Sequence, residues 1–176
     1  GLAAARGKIF ICFDDDCIAD PNWLQEIARV YETNKTKSLT GVAGFIVLPR
    51  KKTNLIEKYM DETGYANPSP ISYVNATNIV TRFIAYLKNM FKPNMQTKQM
   101  TFQVGEIWGA NCSFPVSLLK EINGWDTSLS GVEDTDLCDR IKKKYPDNLF
   151  LCTKKAILLH DHQLTLKSFL EKPYKR

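Results

Sequence analysis

Apolar residues in this chain occur in short unbroken runs, alternating with stretches where they recur every three or four positions. That alternation predicts strands and helices in turn. The run KIFICF at 8–13 has the length of one strand and the continuous apolar character of a strand buried on both faces, as in a parallel sheet. Asp20-Pro21 then supplies an N-cap and an N1 proline. Trp23, Leu24, Ile27, Ala28 and Tyr31 follow at helical spacing, so a helix with one buried face is predicted over 21–33. GVAGFIVL at 41–48 reads as the next strand. Strand, helix, strand implies an α/β sheet, in which ligands bind at the carboxyl ends of strands.

The middle of the chain is less regular. Residues 49–100 open basic and polar, pass through an amphipathic stretch at 71–91, and end in KPNMQTKQM, a connection. We read 49–100 as a variable insertion that shapes the site of a second substrate. Asn75, Asn78 and Arg82 interrupt 71–91, which suits a helix lying on a surface or packed inward rather than one crossing a membrane. Strand character returns at 101–108, TFQVGEIW. After GANCSF come a helix from Pro115 to Ile122, a turn at Asn123-Gly124 and a helix over 132–144. A strand at 149–152 or 156–160 and a closing helix near 165–171 complete the pattern.

A length of 176 residues is one domain's worth of chain, so a single domain over 1–176 is expected. With 44% hydrophobic and 24% charged residues, the composition is that of a globular rather than a disordered chain. The net charge of +5 is unevenly placed: residues 1–134 hold 14 basic and 14 acidic side chains, and 135–176 hold 10 and 5. Lys142, Lys143 and Lys144 close a predicted helix whose first turn is acidic, as the helix dipole favours. Five cysteines are scattered, without a CxxC pair. That pattern argues against a zinc knuckle or a disulfide scaffold and for reduced thiols, hence a protein of the cytoplasm or of the cytoplasmic face of a membrane.

Two acidic constellations carry the candidate chemistry. Asp14, Asp15 and Asp16 leave the first strand as three adjacent carboxylates, which repel one another and call for a cation. Alternation at a strand end lets Asp14 and Asp16 point the same way, and one or two carboxylates leave a divalent ion room for phosphate and water. An EF-hand is excluded, because Ala19 replaces the required glycine and Gln25 the closing glutamate. The alternative is an acidic loop that caps the following helix. In GVEDTDLCDRI, Asp134 shares a stripe with Leu137, Cys138 and Ile141, facing inward from the first helical turn. A general base would sit there; the alternative is support of the helix start alone. His160 ends an apolar strand, as Asp14 does, and either ligates the same ion or belongs to a core or surface loop with His162.

In this order, the segments GLAAARG, FICFDDDCIADPNWL, WGANCSFPVSLLKEINGWD, SGVEDTDLCDRI and LLHDH resemble family 2 glycosyltransferases of the GT-A fold. The resemblance implies a Rossmann-like, mixed and mainly parallel sheet flanked by helices, incomplete at the N-terminus because the family's nucleotide-binding strand would precede Gly1. It implies inverting transfer of a sugar from a nucleoside-diphosphate-sugar donor to a carbohydrate or lipid-linked acceptor. No nucleic acid partner is expected; peripheral membrane association is compatible with the pattern. Asp14 and Asp16 match the family's DxD motif and, with His160, would hold Mn²⁺ or Mg²⁺. Asp15 would lie near the ribose or sugar, Arg6 near the nucleotide, and Gly109, Ala110 and Asn111 along the donor sugar. Asp134 matches the catalytic base, with Glu133, Trp125 and Asp126 on the acceptor side. The basic and tryptophan motif of processive synthases is missing after 141, which favours single transfers. The competing readings are a metal-dependent nucleotidyl or phosphoryl transferase and a non-catalytic carbohydrate-binding remnant.

Overall fold

The computed structural model describes residues 1–35, 38–48, 67–68, 98–129 and 131–160. The expected amphipathic helix at 71–91, the closing helix near 165–171 and His162 lie outside the described residues, as does almost all of the 49–100 insertion. After a 3-10 turn at Leu2–Ala4, the strands are β1 (Ile9–Phe13), β2 (Cys17–Ala19), β3 (Leu39–Val47), β4 (Thr101–Val104), β5 (Asn111–Pro115) and β6 (Leu149–His160). The helices are α1 (Trp23–Thr33), α2 (Val116–Glu121) and α3 (Glu133–Lys144). The described strands form one six-stranded sheet in the order β1-β5-β3-β6-β2, with β4 paired to β6. The chain is therefore the mixed α/β structure that the alternation of runs predicts.

Its sheet is less parallel than expected. Among the described pairings only β3 with β6 is parallel; β1–β5, β3–β5, β2–β6 and β4–β6 are antiparallel. The reason lies in β5, which inserts between β1 and β3 and runs against both. It also leaves β1 at the end of the strand order, so β1 is half-buried and Phe13 is 44% exposed. The strand buried on both faces is instead β3, in which every residue from Leu39 to Gly44 is buried.

The two faces of the sheet carry separate cores. On one face Trp23, Ile27 and Val30 of α1 pack over Leu39, Val42, Leu151, Ala156 and Leu158. On the other, Leu118 and Leu119 of α2 and Leu137, Cys138 and Ile141 of α3 pack over Phe102, Phe114, Phe150 and Cys152. Alternation along β5 serves both: Cys112 and Phe114 join the second core, while Asn111 and Ser113 turn toward α1. Two buried polar side chains on an apolar face need partners. The aromatic residues of α1 provide them. Trp23 Nε1 donates to Asn111 Oδ1 at 3.0 Å, Tyr31 Oη meets Ser113 Oγ at 3.2 Å, and Ser113 Oγ donates to the Val42 carbonyl at 2.7 Å. Burial in this layer holds the Tyr31 phenol well above its ordinary pKa.

Helix α1 starts at Trp23 rather than at Pro21. Asp20 does not cap it from the Ncap position; its Oδ1 accepts from the Asn22 amide at 2.9 Å and its carbonyl from the Trp23 amide at 2.9 Å, forming a turn that hands the chain into the helix. Leu24 is exposed, so the buried face is narrower than the spacing predicts. Helix α2 ends in Asn123 and Gly124, both left-handed, with the Gly124 amide reaching back to the Leu119 carbonyl at 2.7 Å.

The two candidate closing strands, 149–152 and 156–160, are one strand. Between Cys152 and Ile157, β6 takes five steps while β3 takes two from Ala43 to Phe45, so β6 bulges at 153–156. Gly44 faces this bulge. A Cβ there would stand 2.5 Å from the Ala156 carbonyl oxygen and inside the Asn111 amide. Gly44→Ala is expected to destabilise the fold by about 1–3 kcal/mol through overpacking against backbone. A urea denaturation midpoint equal to that of the unsubstituted chain would contradict this.

Candidate active site

The acidic triplet lies in the turn between β1 and β2. The Cys17 amide donates to the Asp14 carbonyl at 3.2 Å, and Asp14, Asp15 and Asp16 are all exposed. Strand β2 then pairs with the end of β6 so that Cys17 stands opposite His160. This pairing brings the two ends together. His160 is buried, with Nε2 at 2.8 Å from Oδ1 of the half-exposed Asp16. One donor atom each from Asp16, Cys17 and His160 lies within 4.8 Å of the others, a set able to hold a metal ion. Asp14 is not part of that cluster. Cys17, which spacing along the chain does not single out, is. Its thiol is pushed up to about 11, first by burial and then by the charges of Asp16 and Asp14, so without an ion it is neutral.

Asp134 reaches the neighbourhood from the other core. Leu137, Cys138 and Ile141 of α3 are fully buried, and Asp134 continues their stripe one turn toward the helix start. Its Oδ2 accepts from the Gly109 amide at 2.7 Å. A Cβ on Gly109 would lie 2.9 Å from Asp134 Oδ1, so glycine leaves the carboxylate its place. Burial raises the Asp134 pKa above the ordinary carboxylate value; hydrogen bonds from the Gly109 backbone and the Trp125 side chain pull it back, and the charges of Glu133 and Asp14 push it up. The Cys12 thiol, in β1, lies 4.0 Å from the carbonyl of Gly109, the residue whose amide holds Asp134, which brings the end of that strand beside the acid. Before α3, Gly131 has φ 112° and Val132 has φ 59°. A left-handed β-branched residue is a strained one.

The remaining residues expected at the site fall into three situations. Arg6 and Asp15 are exposed, and Gly109 and Ala110 are half-buried in a turn where the Asn111 amide returns to the Trp108 carbonyl at 3.3 Å. Asn111 faces inward: Trp23 donates to its oxygen, and its nitrogen lies 3.5 and 3.4 Å from the carbonyls of Phe45 and Ala156. From there it fixes the position of the Gly109-Ala110 turn. Trp125 packs against Phe10 and Phe114, at 5.6 and 5.9 Å between ring centres, while bonding Asp134. Asp126 is exposed and accepts from the Ser128 hydroxyl at 2.7 Å and amide at 2.9 Å, which hold its carboxyl below the ordinary range. Glu133 is half-buried, and its Oε2 is buried without a hydrogen-bond partner among the described residues.

Residues 1–122 match the sequence model of Glycosyl transferase family 2, more than half of the chain, and the chain belongs to that family. The match takes in the triplet and the Gly109 turn and ends before α3. Among curated proteins none matches. A solved structure entitled "Crystal Structure of a Mycobacterial Protein" is similar at 16% sequence identity with a TM-score of 0.49; the likeness covers 94% of this chain and 43% of that one.

The raised Asp134 pKa has a defined sign in stability. A carboxyl whose folded pKa exceeds its unfolded value contributes stability fully below the unfolded pKa and loses it as pH rises through the folded one. Carbon-detected NMR titration should therefore place the Asp134 midpoint above the ordinary aspartate value of about 3.9. Asp134→Asn should flatten the fall in stability over that window. A midpoint at or below the ordinary value would show that the Gly109 and Trp125 bonds outweigh burial.

Proposed function

We propose that this chain carries out inverting transfer of a sugar from a nucleoside-diphosphate-sugar donor to an acceptor hydroxyl, with Asp134 as general base. The observation that carries the reading is the position of Asp134: desolvated, held by the Gly109 amide, and close enough to the acidic turn for the charge of Asp14 to act on it. An acceptor hydroxyl is a poor nucleophile at neutral pH. A carboxylate with a raised pKa is a better proton acceptor than an ordinary one, and its surroundings keep it aimed. The hydroxyl proton passes to Asp134 as the acceptor oxygen bonds to the anomeric carbon and the bond from that carbon to the diphosphate oxygen breaks. One displacement inverts the centre.

The donor set of Asp16, His160 and Cys17 mixes oxygen, nitrogen and sulfur. The Asp16 carboxylate suits either Mn²⁺ or Mg²⁺, and the His160 imidazole favours Mn²⁺ over Mg²⁺; the Cys17 thiol is a donor that suits neither. When bound, the ion would supply positive charge to the departing diphosphate. Asp14, exposed at the start of the same turn, and Asp15 beside it would meet the donor from the solvent side. Gly109 and Ala110 would border the donor sugar, with Asn111 fixing their turn from beneath, and Arg6 would face the nucleotide. Trp125 holds Asp134, and Glu133 and Asp126 would line the acceptor side.

Two measurements bear on this reading. Asp134→Asn should lower transfer at least about 100-fold, the usual scale of a lost general base, while donor binding by calorimetry persists. Undiminished turnover would remove Asp134 from the mechanism; release of pyrophosphate rather than nucleoside diphosphate would replace sugar transfer with nucleotidyl transfer. His160→Ala should weaken Mn²⁺ binding about 10–100-fold, followed by the paramagnetic signal of the free ion. Unchanged affinity would place the ion elsewhere.

A further inference from the structure

Directly behind the acidic turn, Cys12 of β1 and Cys112 of β5 stand opposite one another in the antiparallel ladder, with their sulfur atoms 3.0 Å apart. Both are free thiols; Cys12 is half-buried and Cys112 buried. Opposed residues in such a ladder have Cα atoms about 4.5–5.5 Å apart, inside the range of about 4.4–6.8 Å that disulfides span. Bringing the sulfurs to a bond length of about 2.05 Å therefore asks for about 1 Å of side-chain movement and leaves the strand pairing in place. We propose that Cys12 and Cys112 are an oxidative modification site, joined by peroxides into a cross-strand disulfide and parted again by thiols.

The chemistry closes with hydrogen peroxide as oxidant. The Cys12 sulfur, the more accessible of the two, attacks one peroxide oxygen; the O–O bond breaks, water leaves, and Cys12 becomes a sulfenic acid. The Cys112 sulfur then attacks the Cys12 sulfur, the S–O bond breaks, and a second water carries away the hydroxyl and the Cys112 proton. Two thiols lose two electrons and peroxide gains them. The remaining cysteines are engaged differently. Cys138 Sγ lies 3.6 Å from the Ile107 carbonyl, Cys152 Sγ lies 3.5 Å from the Gly44 carbonyl, and Cys17 faces Asp16 and His160. The bond would tie the strand that leads into the acidic turn to the strand that follows the Gly109 turn, whose carbonyl already lies 4.0 Å from Cys12 Sγ. Modification at this pair requires no sugar transfer and is read without it.

The test uses the full chain, treated with hydrogen peroxide, denatured, alkylated and digested with trypsin. Cleavage after Lys8, Arg29, Lys98 and Lys120 releases peptide 9–29 with Cys12 and Cys17, and peptide 99–120 with Cys112. The expected product is these two peptides cross-linked with loss of two hydrogen atoms, the bond assigned by fragmentation to Cys12 and Cys112. It should disappear after dithiothreitol and in Cys12→Ser. A bond from Cys12 to Cys17 within 9–29, Cys12 oxidised only to sulfinic or sulfonic acid, or both peptides alkylated throughout would each overturn the proposal.

Discussion

Strand β6 is the member to which β2, β3 and β4 all bond, and the geometry of the sheet depends on its keeping those three registers at once. Its first half aligns with β4, its last three residues with β2, and β3 runs beside both halves. A straight strand does not serve all three. The bulge at 153–156 resolves the mismatch, and it fits only because Gly44 offers no side chain where the Ala156 carbonyl and the Asn111 amide meet. From that point the rest follows: Asn111 is locked against Trp23, the Gly109 turn is held above it, and β6 ends with His160 opposite Cys17.

The candidate site is thus assembled from the two sides of one sheet. The α1 layer anchors Asn111 and with it the turn whose amide holds Asp134. The α3 layer delivers Asp134 itself, on a helix whose buried stripe fixes its rotation. Acidic groups converge there without a matching cluster of arginines or lysines in the described contacts of Asp134. Their mutual repulsion raises the Asp134 pKa in the same direction as burial. An environment that resists negative charge favours whatever takes up a proton or brings in a cation.

Much of this was readable along the chain, and the unread parts share a cause. The continuous apolar run of β3, the spacing of α1 and α3, and the Asn123-Gly124 turn are local signals, and each element forms within two residues of where the pattern puts it. Apolarity reports burial but not partner. The run at 8–13 therefore suggests an interior parallel strand, whereas β1 ends the described strand order with Phe13 exposed. Strand β5 hides for the opposite reason: Asn111 and Ser113 look like loop residues, and they are buried because Trp23 and Tyr31, 88 and 82 positions away, supply their hydrogen bonds. In the site, Asp134 and His160 stood out because each breaks an apolar pattern at its end. Cys17 did not, since its place beside His160 comes from strand pairing alone.

Val132 is where the molecule accepts conformational expense in exchange for direction. A β-branched residue held at φ 59° costs on the order of 1–3 kcal/mol, and the left-handed pair it makes with Gly131 sets the angle at which α3 departs. The buried stripe of Leu137, Cys138 and Ile141 behind the helix start and the Gly109 amide in front of it offset that local cost, so a backbone that no β-branched residue adopts freely persists where the first-turn acids are presented.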